Sequence, residues 1–100
     1  MNRREREILE KTAEILRQRL HPRRIILFGS RAKGRSHPSS DFDFALEGAL
    51  ADRPSRNLTT EDIDKIAGLY KVDVVYLEEV EDDFKEIILK TGKVVYAQGT

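Results

Sequence analysis

Hydrophobic residues in the first part of the chain recur at two spacings, which predict a helix and then a strand. Between Arg3 and Leu20 one stripe returns every three or four residues, and the opposite face carries Arg, Glu and Lys. The stripe consists of Ile8, Leu9, Thr12, Ile15, Leu16 and Leu20. This spacing predicts an amphipathic helix that ends before Pro22, because proline disfavours helical backbone in the residue before it. The apolar run Arg24–Phe28, which ends at a glycine, predicts a buried strand.

The rest of the chain alternates between two-residue and helical spacing. The predicted strands are Asp41–Leu46, Lys71–Leu77 and Val94–Tyr96, and the predicted helices run from Thr59 or Thr60 to Tyr70 and from Val80 to Lys90. Gly92 supplies a stop for the last helix. The segment Ser36–Ser40, around Pro38, predicts a turn, and Glu47–Leu58, around Gly48 and Pro54, predicts an irregular loop.

This order of elements predicts an α/β (α+β) fold, in which helices flank a small mixed sheet of about four strands. The chain has 100 residues, which is the usual size of one domain with one modest core, so residues 1–100 are expected to form a single domain. The strands at Arg24 and Asp41 are joined by only about a dozen residues, and the sequence leaves open whether they run parallel.

The composition describes a charged, soluble chain and removes several classes of function. Charged residues make up 36% and apolar residues 39%, the formal net charge is zero, and there is no cysteine. Neutrality gives no long-range attraction to nucleic acid or to an anionic membrane, and the lack of cysteine excludes disulfides and thiolate metal sites. No run approaches a membrane span, and the charged N-terminus lacks the apolar core of a signal peptide. We therefore expect a cytoplasmic protein, compatible with a homo-oligomer.

The loop after Phe28 has the composition of a phosphate-binding turn. Gly29 allows the backbone to leave the strand at unusual angles and lets a ligand approach the main chain closely. Ser30 suits the start of a short helical turn, whose exposed N–H groups attract anions. Arg31 and Lys33, followed by Arg35, add positive charge within the same short segment. The alternative interpretation is a glycine turn with solvated basic residues.

Three acidic residues are expected on one face of the sheet. Asp41 and Asp43 lie two positions apart in a strand, so their side chains point the same way. Asp73 lies between valines in the next predicted strand and emerges on the same side if those valines enter the core. Three converging carboxylates repel one another, and a cation normally relieves such a cluster; all-oxygen sites suit Mg²⁺ or Mn²⁺. Taken singly, each acid is better explained as a solvated residue at the edge of the sheet, and for Asp41 and Asp43 alone the two interpretations are evenly matched.

The loop also comes close to the P-loop of the large nucleotide triphosphatases. Residues 29–36 differ at one position from G-x-x-x-x-G-K-[ST], with Arg35 in place of the lysine. A P-loop must open a helix, whereas Pro38 follows almost at once and a strand then begins. The context therefore disfavours a P-loop.

Together these residues resemble the nucleotidyltransferase superfamily of the polymerase-β-like fold, and above all its smallest members, the minimal nucleotidyltransferases. The pattern is a strand ending in Gly29-Ser30, ten further residues, Asp41-Phe42-Asp43 in a second strand, and Asp73 in a third. The phrase Gly-Ser-Arg-Ala-x-Gly followed by Ser-Asp-x-Asp is characteristic of this minimal group. The resemblance covers Arg24 to Leu77, and the flanking helices fit it.

The resemblance implies a Mg²⁺-dependent transfer of a nucleoside monophosphate to an acceptor hydroxyl. The donor would be ATP, which supplies AMP, or another NTP. Two ions, Mg²⁺ or alternatively Mn²⁺, would be held by Asp41, Asp43 and Asp73, which are the implied catalytic residues. The phosphates of the departing pyrophosphate would be held at a nucleotide-binding loop. That loop comprises Gly29, Ser30, Arg31 and Lys33.

The resemblance also implies a protein partner. Many minimal nucleotidyltransferases are encoded beside a HEPN-domain protein in a toxin–antitoxin pair, where the nucleotidyltransferase acts as antitoxin by adding AMP to a tyrosine of the toxin. The alternative is a non-catalytic nucleotide- or partner-binding subunit that keeps the fold and masks its partner. The three intact acids favour the enzyme.

Overall fold

The computed structural model describes residues 1–34 and 40–99, which form three α-helices, four strands and one short 3₁₀ turn. The elements are α1 (Arg3–Leu20), β1 (Arg24–Phe28), β2 (Phe42–Glu47), α2 (Arg53–Ala67), β3 (Val72–Tyr76), the 3₁₀ turn (Leu77–Glu79), α3 (Asp82–Thr91) and β4 (Lys93–Ala97). The predicted α/β class is confirmed. The turn predicted around Pro38 lies outside the described residues except for Ser40. None of the helices in these ranges has the length and apolar character needed to cross a membrane.

The strands form one mixed sheet in the order β3-β2-β1-β4. β1 runs antiparallel to both β2 and β4, whereas β2 and β3 are parallel. This answers the question that the short connection between β1 and β2 left open. The pairing places Phe28 opposite Asp43 on one side of β2 and Asp73 opposite Asp43 on the other. Three strand positions that are distant in sequence therefore become neighbours at one place in the sheet.

Each face of the sheet packs against different helices. One face carries Phe42, Phe44 and Leu46 of β2 and meets the apolar stripes of α1 and α2, which include Leu16 and Ile63. On the opposite face a smaller cluster contains Ile26, Ala45, Leu77 and Ile88. Because side chains alternate along a strand, burying the β2 phenylalanines turns the side chain of Asp43 to the face that α3 covers only in part.

The start of α2 differs from the prediction. The helix begins at Arg53, six residues before Thr59, and its first turn contains Pro54. Proline is tolerated there because the first N–H groups of a helix have no partner within the helix. The cap is Asp52, whose side chain accepts a hydrogen bond from the N–H of Ser55 at 2.9 Å. The predicted loop Glu47–Leu58 is therefore wrong from Arg53 onward, and Thr59 and Thr60, the predicted caps, lie inside the helix.

Thr12 offers a test of core packing in α1. Its hydroxyl is the one buried side-chain polar atom without a hydrogen-bond partner among residues 1–34 and 40–99. We expect Thr12→Val to raise the free energy of unfolding by about 1 kcal/mol, because the substitution keeps the shape and removes an unpaired polar group. Chemical denaturation measures this. Thr59→Val is the matched control, since the buried Thr59 hydroxyl donates to the Ser55 carbonyl at 2.7 Å. A loss of stability in Thr12→Val equal to that in Thr59→Val would contradict the prediction.

Candidate active site

The three predicted acids meet at the ends of β2 and β3. One carboxylate oxygen from each of the three residues Asp41, Asp43 and Asp73 lies within 4.8 Å of the other two. Two causes bring them together. Asp41 lies just before β2, and the period of two directs its side chain to the same face as that of Asp43. The parallel register places Asp73 directly beside Asp43. All three side chains are partly exposed, so a ligand can reach them from solvent.

The charges of this cluster are only partly offset. Burial raises the pKa of Asp43, and the neighbouring charges of Asp73 and then Asp41 raise that pKa further. Lys71 acts in the opposite direction; its Nζ lies 3.8 Å from Oδ2 of Asp73, and its side chain is largely exposed. Three carboxylate oxygens that crowd together within 4.8 Å form a donor set that fits Mg²⁺ or Mn²⁺. The residues present therefore suit the divalent metal that the sequence pattern implied.

Gly29 brings the loop after β1 into direct proximity with this cluster. Its φ is +79°, in the left-handed region that favours glycine, and a Cβ at this position would lie 2.6 Å from Oδ2 of Asp43. A side chain is therefore excluded here by backbone geometry and by the carboxylate together. Because residue 29 is glycine, the main chain of the predicted phosphate loop lies close to the acidic cluster. Any residue with a Cβ at this position would keep the two farther apart.

A short turn follows Gly29 and presents Ser30 and Lys33 to the surface. The N–H of Lys33 donates to the Gly29 carbonyl at 3.3 Å, which closes one helix-like turn over residues 29–33. Ser30 is partly exposed and Lys33 is exposed. The first N–H groups of such a turn have no partner within it, so they remain available to an anion. Arg35, the third basic residue of the predicted segment, lies outside the described residues.

Arg31 lies in the interior, below this turn, and its neighbours are protein groups. Its side chain is fully buried, and Nη1 donates to Oε2 of Glu5 at 2.9 Å. Nε and Nη2 both donate to the carbonyl oxygen of Ser40, at 3.1 and 2.8 Å. The guanidinium carbon lies 4.0 Å from the centre of the Phe42 ring. The structure thus separates the predicted basic pair: Lys33 faces solvent, where a phosphate can reach it, and Arg31 faces the core.

Two residues near the site had no role assigned from sequence. Lys71 precedes Asp73 by two positions, so strand periodicity places both on one face and could have identified the pair. Glu5 precedes Ile8 by three positions and so continues the buried stripe of α1. An acid on the core face of a helix indicates a buried cation, although nothing in the sequence indicates that the cation is Arg31.

Comparison with known proteins agrees with this geometry. The sequence model of the family described as "Polymerase beta, Nucleotidyltransferase" matches residues 10–100. A comparison with curated protein sequences gave no significant match.

Several solved structures share the fold. A toxin–antitoxin complex with AMP-PNP contains a chain that is 25% identical, with a TM-score of 0.74; the alignment covers 89% of this chain and 73% of that one. The MNT antitoxin complex with a tri-AMPylated HEPN toxin from Shewanella oneidensis matches at 21% identity and a TM-score of 0.69, over 93% of this chain and 72% of that one. A minimal nucleotidyltransferase matches at 16% identity and a TM-score of 0.68, over 88% and 92%.

Proposed function

The chain belongs to the polymerase-β nucleotidyltransferase family, and from this membership we propose that it transfers AMP from ATP to a hydroxyl group of an acceptor. One observation carries the proposal: the carboxylates of Asp41, Asp43 and Asp73 converge within 4.8 Å beside a glycine that has no room for a side chain. A site for divalent metal and a site for phosphate are then adjacent, as transfer of a nucleotide requires.

The acidic cluster is the proposed metal site. Asp41, Asp43 and Asp73 would hold Mg²⁺, as two ions, with Mn²⁺ as a substitute. The bound metal would supply positive charge against the phosphate oxygens. In the metal-free protein the three carboxylates keep the site polar. Their mutual repulsion favours the binding of a cation.

The turn after β1 is the proposed phosphate site. The backbone N–H groups at Gly29 and Ser30 and the Ser30 hydroxyl would donate hydrogen bonds to the β- and γ-phosphates, and Lys33 would offset their charge. In the reaction the acceptor oxygen forms a bond to the α-phosphorus while the bond from that phosphorus to the bridging oxygen of the β-phosphate breaks. Pyrophosphate leaves with the electron pair, and the proton of the acceptor hydroxyl passes to the Asp73 carboxylate.

The proposed acceptor is a tyrosine on a HEPN-domain toxin, which would make this chain the antitoxin of the pair. The support comes from the structural relatives, among them an MNT antitoxin in complex with a tri-AMPylated HEPN toxin.

The proposal is tested with ATP labelled at either the α- or the γ-phosphate. Incubation with Mg²⁺ and the product of the neighbouring gene, as the proposed HEPN-domain acceptor, should transfer the α-label and leave the γ-label in pyrophosphate. Asp41→Asn should remove the transfer, whereas Asp64→Asn, an exposed acid on α2, should keep it. Binding of ATP without any transfer of label would favour the alternative, a non-catalytic binding subunit. Full labelling by Asp41→Asn would refute the assignment of the metal site.

A further inference from the structure

The buried guanidinium of Arg31 connects segments that approach the candidate active site from different parts of the chain. Arg31 itself follows Gly29 and Ser30 directly. Its hydrogen bonds reach Glu5 in the first turn of α1 and the carbonyl of Ser40, the residue before Asp41. Its guanidinium carbon also lies 5.7 Å from the ring centre of Tyr70, just before β3. The site has two halves, the phosphate-binding turn at Gly29 and Ser30 and the acidic cluster of Asp41, Asp43 and Asp73. Arg31 therefore contacts residues next to both halves.

The contacts of Arg31 are of the kind that fix a position. A buried charge is tolerated only when it is paired and hydrogen-bonded, and Arg31 meets both conditions. Two of its N–H groups converge on a single backbone oxygen at Ser40, which restricts rotation as well as distance. Its flat face stacks on Phe42 at 4.0 Å, and Phe42 lies between Asp41 and Asp43. The guanidinium therefore fixes the distance between the loop at Gly29 and the backbone that carries Asp41 and Asp43, without touching either carboxylate.

We propose that Arg31 is a positioning residue that holds the loop after β1 at a set distance from the start of β2. It would thereby align the phosphate-binding turn at Gly29 and Ser30 with the carboxylates of Asp41 and Asp43. The proposal rests on the nucleotidyl transfer proposed above. It gives Arg31 a role through the backbone at Ser40, without contact with the nucleotide.

Arg31→Lys tests this role because lysine keeps the positive charge near Glu5 and loses the fork and the flat face. ATP bound with Mg²⁺ spans both halves of the site. In the wild-type protein Mg²⁺ should therefore increase the affinity for ATP, and ATP should increase the affinity for Mg²⁺ by the same factor. We expect Arg31→Lys to reduce this coupling by about tenfold and kcat by about 100-fold. The affinity of the nucleotide-free protein for Mg²⁺ should stay unchanged, since Asp41, Asp43 and Asp73 remain in place.

Glu5→Gln is the matched control for stability. It leaves the two bonds from Arg31 to Ser40 intact but removes the negative partner of a buried cation, so the free energy of unfolding should fall. Coupling between ATP and Mg²⁺ should persist in Glu5→Gln and fall by about tenfold in Arg31→Lys. Equal losses of coupling in two variants of equal stability would assign the effect to stability and overturn the proposal, as would wild-type coupling in Arg31→Lys.

A measurement on the wild-type protein avoids reliance on any variant. If Arg31 aligns the two halves, a ligand that spans them must in turn strengthen its bonds to Ser40. Hydrogen exchange of the Arg31 Nε–H, followed by NMR, should slow by about tenfold with ATP and Mg²⁺ together and little with either alone. Unchanged exchange in a protein that binds ATP and Mg²⁺ would overturn the positioning role alone. A wild-type protein that binds no nucleotide would remove the proposed function, and this inference with it.

Discussion

We expect Asp43→Asn to reduce nucleotidyl transfer by about 1,000-fold or more, while the metal-free protein becomes more stable. Loss of transfer follows because an amide is a weaker ligand for Mg²⁺ than a carboxylate. The gain in stability follows because ionised Asp43 is partly buried and lies beside the charges of Asp73 and Asp41. Removing a charge within 4.8 Å of two like charges is worth on the order of 1 kcal/mol. Function and stability should therefore move in opposite directions at this position.

The same cluster sets an expected dependence of stability on pH. The folded-state pKa of Asp43 is raised above its ordinary value of 3.8, so the folded protein holds this proton more tightly than the unfolded chain does. In the metal-free wild type, the contribution of Asp43 to stability is then highest below 3.8, decreases as pH rises through the window up to the raised folded pKa, and stays low above it. Binding of Mg²⁺ has the opposite dependence, because the metal requires the ionised carboxylate.

Two measurements on Asp43→Asn test these expectations. Urea unfolding in EDTA at several pH values gives the stability of the metal-free protein, and label transfer in Mg²⁺ gives the activity. Asp52→Asn provides a contrast, because hydrogen bonds from Ser55 lower the pKa of Asp52 and its charge favours the folded state. A metal-free Asp43→Asn protein less stable than the wild type above the raised pKa would show that the carboxylates do not repel one another in the folded chain. Transfer at the wild-type rate would show that Asp43 is not a metal ligand.

Gly29→Ala should also have a large effect, for steric reasons. The new Cβ would lie 2.6 Å from Oδ2 of Asp43, and φ at this residue is +79°. The backbone conformation alone costs about 1–2 kcal/mol for a residue with a side chain. Relief of the clash must move either the loop or the carboxylate, and a displacement of about 1 Å at a reacting centre costs about 100-fold in rate. We therefore expect loss of both stability and transfer.

Gly34→Ala separates these two causes. Its φ is +70°, and a Cβ there meets no atom of residues 1–34 and 40–99 within 4 Å, so among these residues the variant carries the conformational cost without a clash. Thermal unfolding should show a loss of stability in both variants, larger in Gly29→Ala, and label transfer should be lost only in Gly29→Ala. An equal loss of transfer in Gly34→Ala would assign the effect to the flexibility of the turn and not to the approach of Gly29 to Asp43.

Local spacing predicted most of the fold, because burial in a small sheet leaves a clear period in the sequence. The alternation at Asp41–Leu46 correctly separated the buried phenylalanines from the acids. The start of α2 was missed because Pro54 usually marks a loop, whereas here it lies in a first helical turn capped by Asp52. Strand direction was not predictable either, because pairing depends on contacts between segments far apart in sequence.

The candidate site was predictable to the extent that it depends on side-chain alternation. Asp73 could be placed beside Asp43 by assuming that neighbouring valines enter the core, and the parallel register of β2 and β3 shows that arrangement. Arg31 was not predictable in this way. A basic residue in a glycine turn has the same composition whether it faces solvent or the core, and only the fold brings Glu5 and Ser40 to its guanidinium.

The parallel pairing of β2 with β3 also has a consequence for the order of folding. β1 and β2 are close in sequence and antiparallel, whereas β2 and β3 are parallel and separated by α2. We therefore expect the loop between β1 and β2 to close early and β3 to join later, so that Asp73 meets Asp41 and Asp43 when most of the core is already in place. The carboxylates would then repel one another only in the last stage of folding, after the transition state. A bound divalent ion, which relieves that repulsion, should therefore slow unfolding more than it speeds folding.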